Sequence, residues 1–360
     1  MNILTRPIKN IVHFINIKEC RKALVAPNSI FFPVLWITNQ RNLRCRMCDQ
    51  WKMESKGELT TEEWCAFIDA ASRMHAKVIV ITGGEPLMRA DVFDIIQHIR
   101  EKGISCHLCS NGSLLDNPSV INKLKQSGLS SISVSLDSFS SEIYKNIRGV
   151  DCFDAAVEGI KLLKKIAPEI KVGINYLITR LNFVNLDQMV RFSAGLKVDQ
   201  LKFDLVHTNL VHRSKSQLSF QGLLFTEDDL PKLKIEINKL IAALSRSRLL
   251  TNSRTFLNGI LPACQKQQHK YKCYAGYISC AIDAFGKVSP CDNFDGQDSL
   301  RSKSFEEIWR SPAFAQLRQK VQDCNEHCWD STHGEINLRC SLKGLLKEIP
   351  QVIREQFFYL

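Results

Sequence analysis

The sequence predicts an α/β fold: a parallel sheet curling into a full or partial barrel of βα units, followed by a small cysteine-rich domain. Three observations carry that expectation. Six short β-rich runs alternate with longer helical patterns as far as Val206. After about residue 215 the alternation gives way to a helical stretch, and from Cys264 onward seven of the chain's 14 cysteines are gathered.

The strands run in order Val34 to Thr38, Lys77 to Thr82, Ser105 to Ser110, Ser131 to Leu136, Lys171 to Ile178 and Gln200 to Val206, with five helices between them. The first helix is announced by Thr60 with Glu63 three residues on, a capping box ahead of the Trp64, Phe67, Ile68 stripe. Repeated right-handed crossovers make such a sheet parallel, and the loops after its strands form the active face. A helical connector covers Glu227 to Arg248, and Gly286 turns a hairpin bracketed by Cys273 and Cys291. The segment Ile349 to Leu360 is basic and aromatic and reads as a packing or capping helix. The expected divisions are an N-terminal extension over 1–30, a barrel core over 31–215, a connector over 216–262, a cysteine-rich domain over 263–345 and a C-terminal helix over 346–360.

Composition bounds the function. A chain of 360 residues with 44% hydrophobic and 24% charged residues folds as about two globular domains and is neither disordered nor fibrous. The net charge of +11 is scattered without a basic stripe, so no nucleic-acid partner is expected. No run of 18 apolar residues predicts a membrane span. Met1 to Gln40 lacks the order of a signal peptide, so a cytoplasmic, reducing location is expected. There, clustered thiols serve metal binding or catalysis rather than disulfides.

Cys45 and Cys48, three positions apart after the first strand, suit one metal ion or one edge of a cluster. Gly83-Gly84-Glu85-Pro86 follows the second strand, Ser110-Asn111-Gly112 the third, and Ser135-Leu136-Asp137-Ser138 the fourth, with Ile147-Arg148-Gly149 beyond. Paired glycines let backbone approach a ligand closely, Glu85 can accept from an ammonium group, and Ser and Asp side chains suit a ribose. Each motif alone reads as a turn; together, at the carboxyl ends of successive strands, they describe a site.

From about Phe32 to Val206 the chain resembles the radical S-adenosylmethionine (SAM) enzymes, which combine a C-x3-C-x2-C loop with a GGEP motif on a partial (βα)6 TIM-like barrel. The resemblance implies a 4Fe-4S cluster, SAM chelated to it, and reductive cleavage to a 5′-deoxyadenosyl radical that abstracts hydrogen from a substrate. Carried over, Cys45 and Cys48 are the second and third cluster ligands and Met47 packs near the adenine. Gly83, Gly84 and Glu85 hold the SAM amino group, with Pro86 among the cofactor-binding residues. Ser135 and Asp137 contact the ribose or methionine portion, and Asn111 and Asn175 line the site. The first cysteine position holds Arg41, which is no ligand. Three explanations compete: a degenerate non-catalytic member, a variant or engineered substitution, or completion of the site by another thiol such as Cys20.

In the tail, Cys273 and Cys291 with Cys324 and Cys328 can close a tetrahedral metal site; zinc is the alternative, but the first pair is eighteen residues apart where a zinc ribbon has tight knuckles. The pattern C-x12-G-x4-C followed by a close pair resembles the SPASM or twitch auxiliary-cluster domain. This implies one auxiliary 4Fe-4S cluster on Cys273, Cys291, Cys324 and Cys328, with Cys280 and Cys340 as replacements. Cys65, Cys106 and Cys109 read as structural, Cys109 pointing towards the helices, and the nine histidines suggest no metal. The expected function is that of a radical SAM enzyme impaired at Arg41, served by a low-potential donor such as a flavodoxin or ferredoxin. Its substrate is unknown, with a peptide, a protein or a cofactor precursor in view. The alternative is a non-catalytic relative acting as a binding or scaffold protein.

Overall fold

A computed structural model describes residues 15–207, 222–265, 267, 271–326, 328–340, 351–355 and 357–359. The remaining parts of the expected extension, connector, cysteine-rich domain and C-terminal helix lie outside the described residues. A helix α1 over 15–23 precedes β1 (Phe32–Trp36). Then β2 (Val78–Thr82), β3 (Ser105–Ser110), β4 (Ser131–Ser135), β5 (Lys171–Ile178) and β6 (Gln200–Leu205) follow within a residue or two of the sequence expectation. They pair in parallel in chain order, with Val34 opposite Val80, Ile81 opposite Leu108 and Ile174 opposite Leu201.

These strands are buried on both faces, as parallel strands are. Ile79, Ile81, Cys106, Leu108, Ile132, Val134, Val172 and Ile174 face outward into the helical layer, against Trp64 and Phe67 of α2 (Thr61–Arg73) and Ile95 of α3 (Val92–Glu101). The capping box is formed: Thr60 N donates to Glu63 Oε2 at 2.7 Å and Glu63 N to Thr60 Oγ1 at 3.3 Å. After α4 (Pro118–Gln126), the β4–β5 crossover holds two helices rather than one, α5 (Ser141–Arg148) and α6 (Phe153–Ile166). Gly149 separates them at φ 76°, where a Cβ would lie 2.4 Å from Arg44 O. The crossover to β6 carries α7 (Leu186–Gly195), and the connector holds α8 (Leu230–Ser245) and α9 (Arg254–Cys264).

The tail hairpin extends the sheet, which alternation alone does not predict. β7 (Ser279–Ile282) pairs parallel with β1, Val34 opposite Ala281, and antiparallel with β8 (Val288–Ser289). Gly286, at φ 87°, makes the turn, and Asp283 Oδ1 accepts from Lys287 N at 2.8 Å. The order is therefore β6-β5-β4-β3-β2-β1-β7-β8, an open sheet among the described residues. Beyond it α10 (Phe305–Arg310), α11 (Pro312–Gln322) and α12 (Gly334–Arg339) complete the cysteine-rich part.

The concave face is filled near the start of the strands. Phe32, Val34, Trp36 and Val78 pack there with Ile17 of α1, Tyr274, Tyr277 and Cys340. The C-terminal segment enters beside them: Tyr359 Oη donates to Gln200 Oε1 at 3.2 Å, and its ring meets His107 edge-on at 4.9 Å. Cys109 shares this inner parity with His107 and not the outer parity of Cys106 and Leu108, so it does not face the helices. Burial, and the carboxylates of Asp204 and Glu85, push its thiol up to about 12. With that half occupied, the open space is left at the carboxyl ends of the strands.

Candidate functional site

Backbone joins the loop after β1 to the loop after β2. Gly84 N donates to Thr38 O at 2.7 Å and Glu85 N to Gln40 O at 2.8 Å. Both glycines are needed, because a Cβ would lie 2.5 Å from Thr38 O at Gly83 and 2.0 Å from Gln40 O at Gly84. The close approach expected towards a ligand is made to the chain itself.

Arg41 spans this junction. Its Nη1 donates to Cys48 Sγ at 2.9 Å, and its Nη2 donates to Gln50 Oε1 at 3.0 Å, Gly83 O at 3.0 Å and Gly84 O at 3.2 Å. Cys45 and Cys48 sit in one turn, Cys48 N donating to Cys45 O at 3.1 Å, packed with Leu43, Met47 and Ile147. Arg148 Nη1 approaches Cys45 Sγ at 3.9 Å. Cys20 is not brought to this loop: it donates to Asn16 Oδ1 at 3.2 Å and packs among the Phe32 and Tyr277 side chains.

Glu85 is fully buried below the junction and caps the single turn begun by Pro86. It accepts from Asn111 N at 2.7 Å, Ser110 Oγ at 2.9 Å and Leu87 N at 3.2 Å. Burial raises its pKa above the usual carboxylate range, while those donors and the Arg41 charge pull the other way. Asn111 bonds Asn42 Oδ1 at 2.9 Å. Asp137, also fully buried, pairs with Arg148 Nε at 2.6 Å and accepts from Leu177 N at 2.9 Å. Ser135, the last residue of β4, and Asn175, in the middle of β5, are half-buried and stand opposite one another.

The tail cysteines converge. Cys273, Cys291, Cys324 and Cys328 line one cavity of about 590 Å³, which Met47, Leu177 and the end of β6 bound from the barrel side. Burial raises the pKa of all four thiols, so a metal bound there must displace protons. Amides point at two of the sulfurs: Asn293 Nδ2 donates to Cys328 Sγ at 3.2 Å and Asn337 Nδ2 to Cys273 Sγ at 3.5 Å. Cys280, on β7, belongs to the main core, and Cys340, at the end of α12, packs on the concave face; neither lines the cavity.

The same cavity holds polar groups to which the sequence assigned no role. Asp204, at the end of β6, accepts from Ser331 N at 2.6 Å and Ser331 Oγ at 3.2 Å. Burial, then the charge of Asp330, pushes it up to about 6. Burial opposes the charge on Asp330, but His333 and His207 hold it well below the usual range; His207 Nε2 lies 2.9 Å and His333 Nδ1 3.5 Å from its Oδ2. Ligand atoms of His207, Cys328 and Asp330 lie within 4.8 Å of one another, joining segments far apart in sequence. The position of Asp204 at a strand's carboxyl end was the available signal. Arg148, the other omission, stood in a quoted motif without a role.

Residues 37–192 match the radical SAM superfamily and residues 273–330 match SPASM, an iron-sulfur cluster-binding domain. The chain is 29% identical over 307 residues to an AdoMet-dependent heme synthase of Methanosarcina barkeri, covering 81% of this chain and 85% of that one. In fold it is similar to Streptococcus suis SuiB bound to S-adenosylmethionine (TM-score 0.65, 18% identity, 84% of this chain and 71% of that chain). It is also similar to anSMEcpe with bound AdoMet and a Cp18Cys peptide (TM-score 0.63, 16% identity, 91% and 98%). The two matched domains imply 4Fe-4S clusters and SAM as cofactors. The four tail thiols around one cavity fit a cluster. The core loop, with two thiols and a guanidinium seated on one of them, does not fit a cluster held by three thiolates.

Proposed function

This chain carries a radical SAM domain followed by a SPASM iron-sulfur domain, and from that premise we propose that it is an enzyme of SAM-dependent hydrogen abstraction held down at position 41. Its substrate binds in the cavity between the barrel and the cysteine-rich part. The observation that carries this is the shared cavity: Met47 of the core loop, Asp204 of β6 and all four tail cysteines face the same space.

An auxiliary 4Fe-4S cluster would be held by Cys273, Cys291, Cys324 and Cys328, and it would supply an electron acceptor or a substrate anchor. The chain's own groups have separate tasks. Asp204, protonated below about pH 6, can donate a hydrogen bond to a substrate, and above that pH it can accept one. Asp330 stays ionised between His207 and His333 and fixes both rings at the cavity wall. Phe294 and Val321 supply apolar lining. SuiB has been captured with a precursor peptide and anSMEcpe with peptides, so a peptide is the first substrate to try, and a porphyrin, after the heme synthase, the second. No helix among the described residues is long and apolar enough to cross a membrane. A cytoplasmic setting with a flavodoxin or ferredoxin as donor completes the proposal.

At the core, Met47, Gly83, Gly84, Glu85, Pro86, Asn111, Ser135, Asp137 and Asn175 are the proposed SAM contacts, and no step is assigned to a cluster there. The test is 5′-deoxyadenosine formation after anaerobic reconstitution and strong reduction, for the protein as it stands and for Arg41→Cys. Turnover at least tenfold higher in the variant supports the proposal. Silence from both overturns it in favour of a binding or scaffold protein, the second reading, which the seating of Arg41 on Cys48 favours.

A further inference from the structure

The hydrogen bonds of Arg41 reach further than the loss of one iron ligand. A cysteine-to-arginine change that merely deleted a ligand would leave a long cationic side chain free to extend into solvent, as such side chains prefer. Here the guanidinium turns inward and is held on four acceptors: Cys48 Sγ, Gln50 Oε1, Gly83 O and Gly84 O, at 2.9 to 3.2 Å. Two of these belong to the paired-glycine turn, which the reading above assigns to the SAM ammonium group. A third is a thiol assigned to the cluster.

We propose that Arg41 is a lock: one side chain that takes the ammonium acceptors of the SAM site and one of the remaining cluster thiols, so that the core is closed to SAM as well as to iron. The chemistry of the two cations is alike. An alkylammonium offers three donors to carbonyl oxygens, and a guanidinium offers five in a planar fork that can bridge several acceptors at once. Carbonyls engaged by one partly buried cation are not available to a second, because the two charges repel at the same dipoles. The surroundings are closed in the same manner. Each oxygen of Glu85 accepts from the chain's own groups, and Asp137 is paired with Arg148, whose Nη1 also faces the other thiol, Cys45. The loop after β1, the loop after β2 and Gln50 are thereby tied together by one side chain.

This inference rests on the assignment of Gly83 and Gly84 to SAM, and the experiment separates the two. SAM binding, without reductant or turnover, is measured by equilibrium dialysis for four proteins: wild type, Arg41→Ala, Arg41→Met, and Arg41→Cys reconstituted with iron and sulfide. The lock predicts that wild type binds SAM at least tenfold more weakly than Arg41→Cys. It also predicts that both cluster-free variants, Ala and Met, bind severalfold more tightly than wild type because the carbonyls are released. Arg41→Met keeps the length of the side chain and carries the comparison if Arg41→Ala does not fold. Cluster-free variants that bind SAM no better than wild type, while Arg41→Cys does, would overturn the lock and leave a missing ligand only. Failure of reconstituted Arg41→Cys to bind SAM would overturn the site assignment itself.

Discussion

Gly84 shows how a motif residue can be legible in place and not in purpose. Its position after β2 follows from the strand pattern, yet the space it vacates is filled by Gln40 O rather than by a ligand, a contact between segments that no local pattern reveals. Gly84→Ala is therefore expected to cost roughly 1–3 kcal/mol, as overpacking against backbone does, measurable as a lowered midpoint in denaturant without any added cofactor. An unchanged midpoint would show that the β1 and β2 loops do not touch as described. Asp204 was missed for a similar reason: its neighbours Ser331 and Asp330 lie more than a hundred residues away. Its folded pKa, about 6, stands above the unfolded value of 3.8. For an acid that sign means stability is complete at low pH and is lost as pH rises from about 4 through 6. Asp204→Asn should remove that loss, gaining on the order of 2–3 kcal/mol relative to wild type by pH 8. Parallel unfolding curves of the two proteins across pH 4 to 8 would contradict the assignment.

At the scale of elements, the six βα units were legible because each strand is a short β-rich run bounded by turn signals, and because Thr60 and Glu63 mark a helix start by their own chemistry. The hairpin at Gly286 was legible too, but its docking was not. Pairing with β1 depends on a free sheet edge, which only the assembled fold supplies. The C-terminal segment is the clearest case. Its sequence reads as a basic, aromatic helix, and in the fold Glu355 sits between Lys202 and Arg339 while Phe358 approaches Gly173 on the concave face. Burial would raise Glu355, but the two cations hold it at about 2 against an ordinary 4.5. That stabilisation is present above pH 4.5 and is lost as pH falls towards 2. Glu355→Gln is expected to cost about 3 kcal/mol at pH 7, since it leaves Lys202 buried without its carboxylate. The gap between variant and wild type should shrink on acidification, and a pH-independent gap would point to packing alone.

At the scale of the whole molecule, the hairpin on the β1 edge carries the cysteine-rich part over the carboxyl ends of the strands, while the C-terminal segment fills the other end. A cavity of about 590 Å³ lies where the core loop, β6 and the tail thiols meet. As proposed, the molecule has one complete cluster site, at the tail thiols, and one site closed by Arg41. Iron and acid-labile sulfide, with a Mössbauer spectrum, on anaerobically reconstituted wild type and Cys291→Ala test that most directly. The prediction is about four iron per chain in a single 4Fe-4S environment, lost in Cys291→Ala, because the four tail thiols that line one cavity are the proposed ligand set. About eight iron per chain in wild type, or a cluster that survives Cys291→Ala, would contradict it.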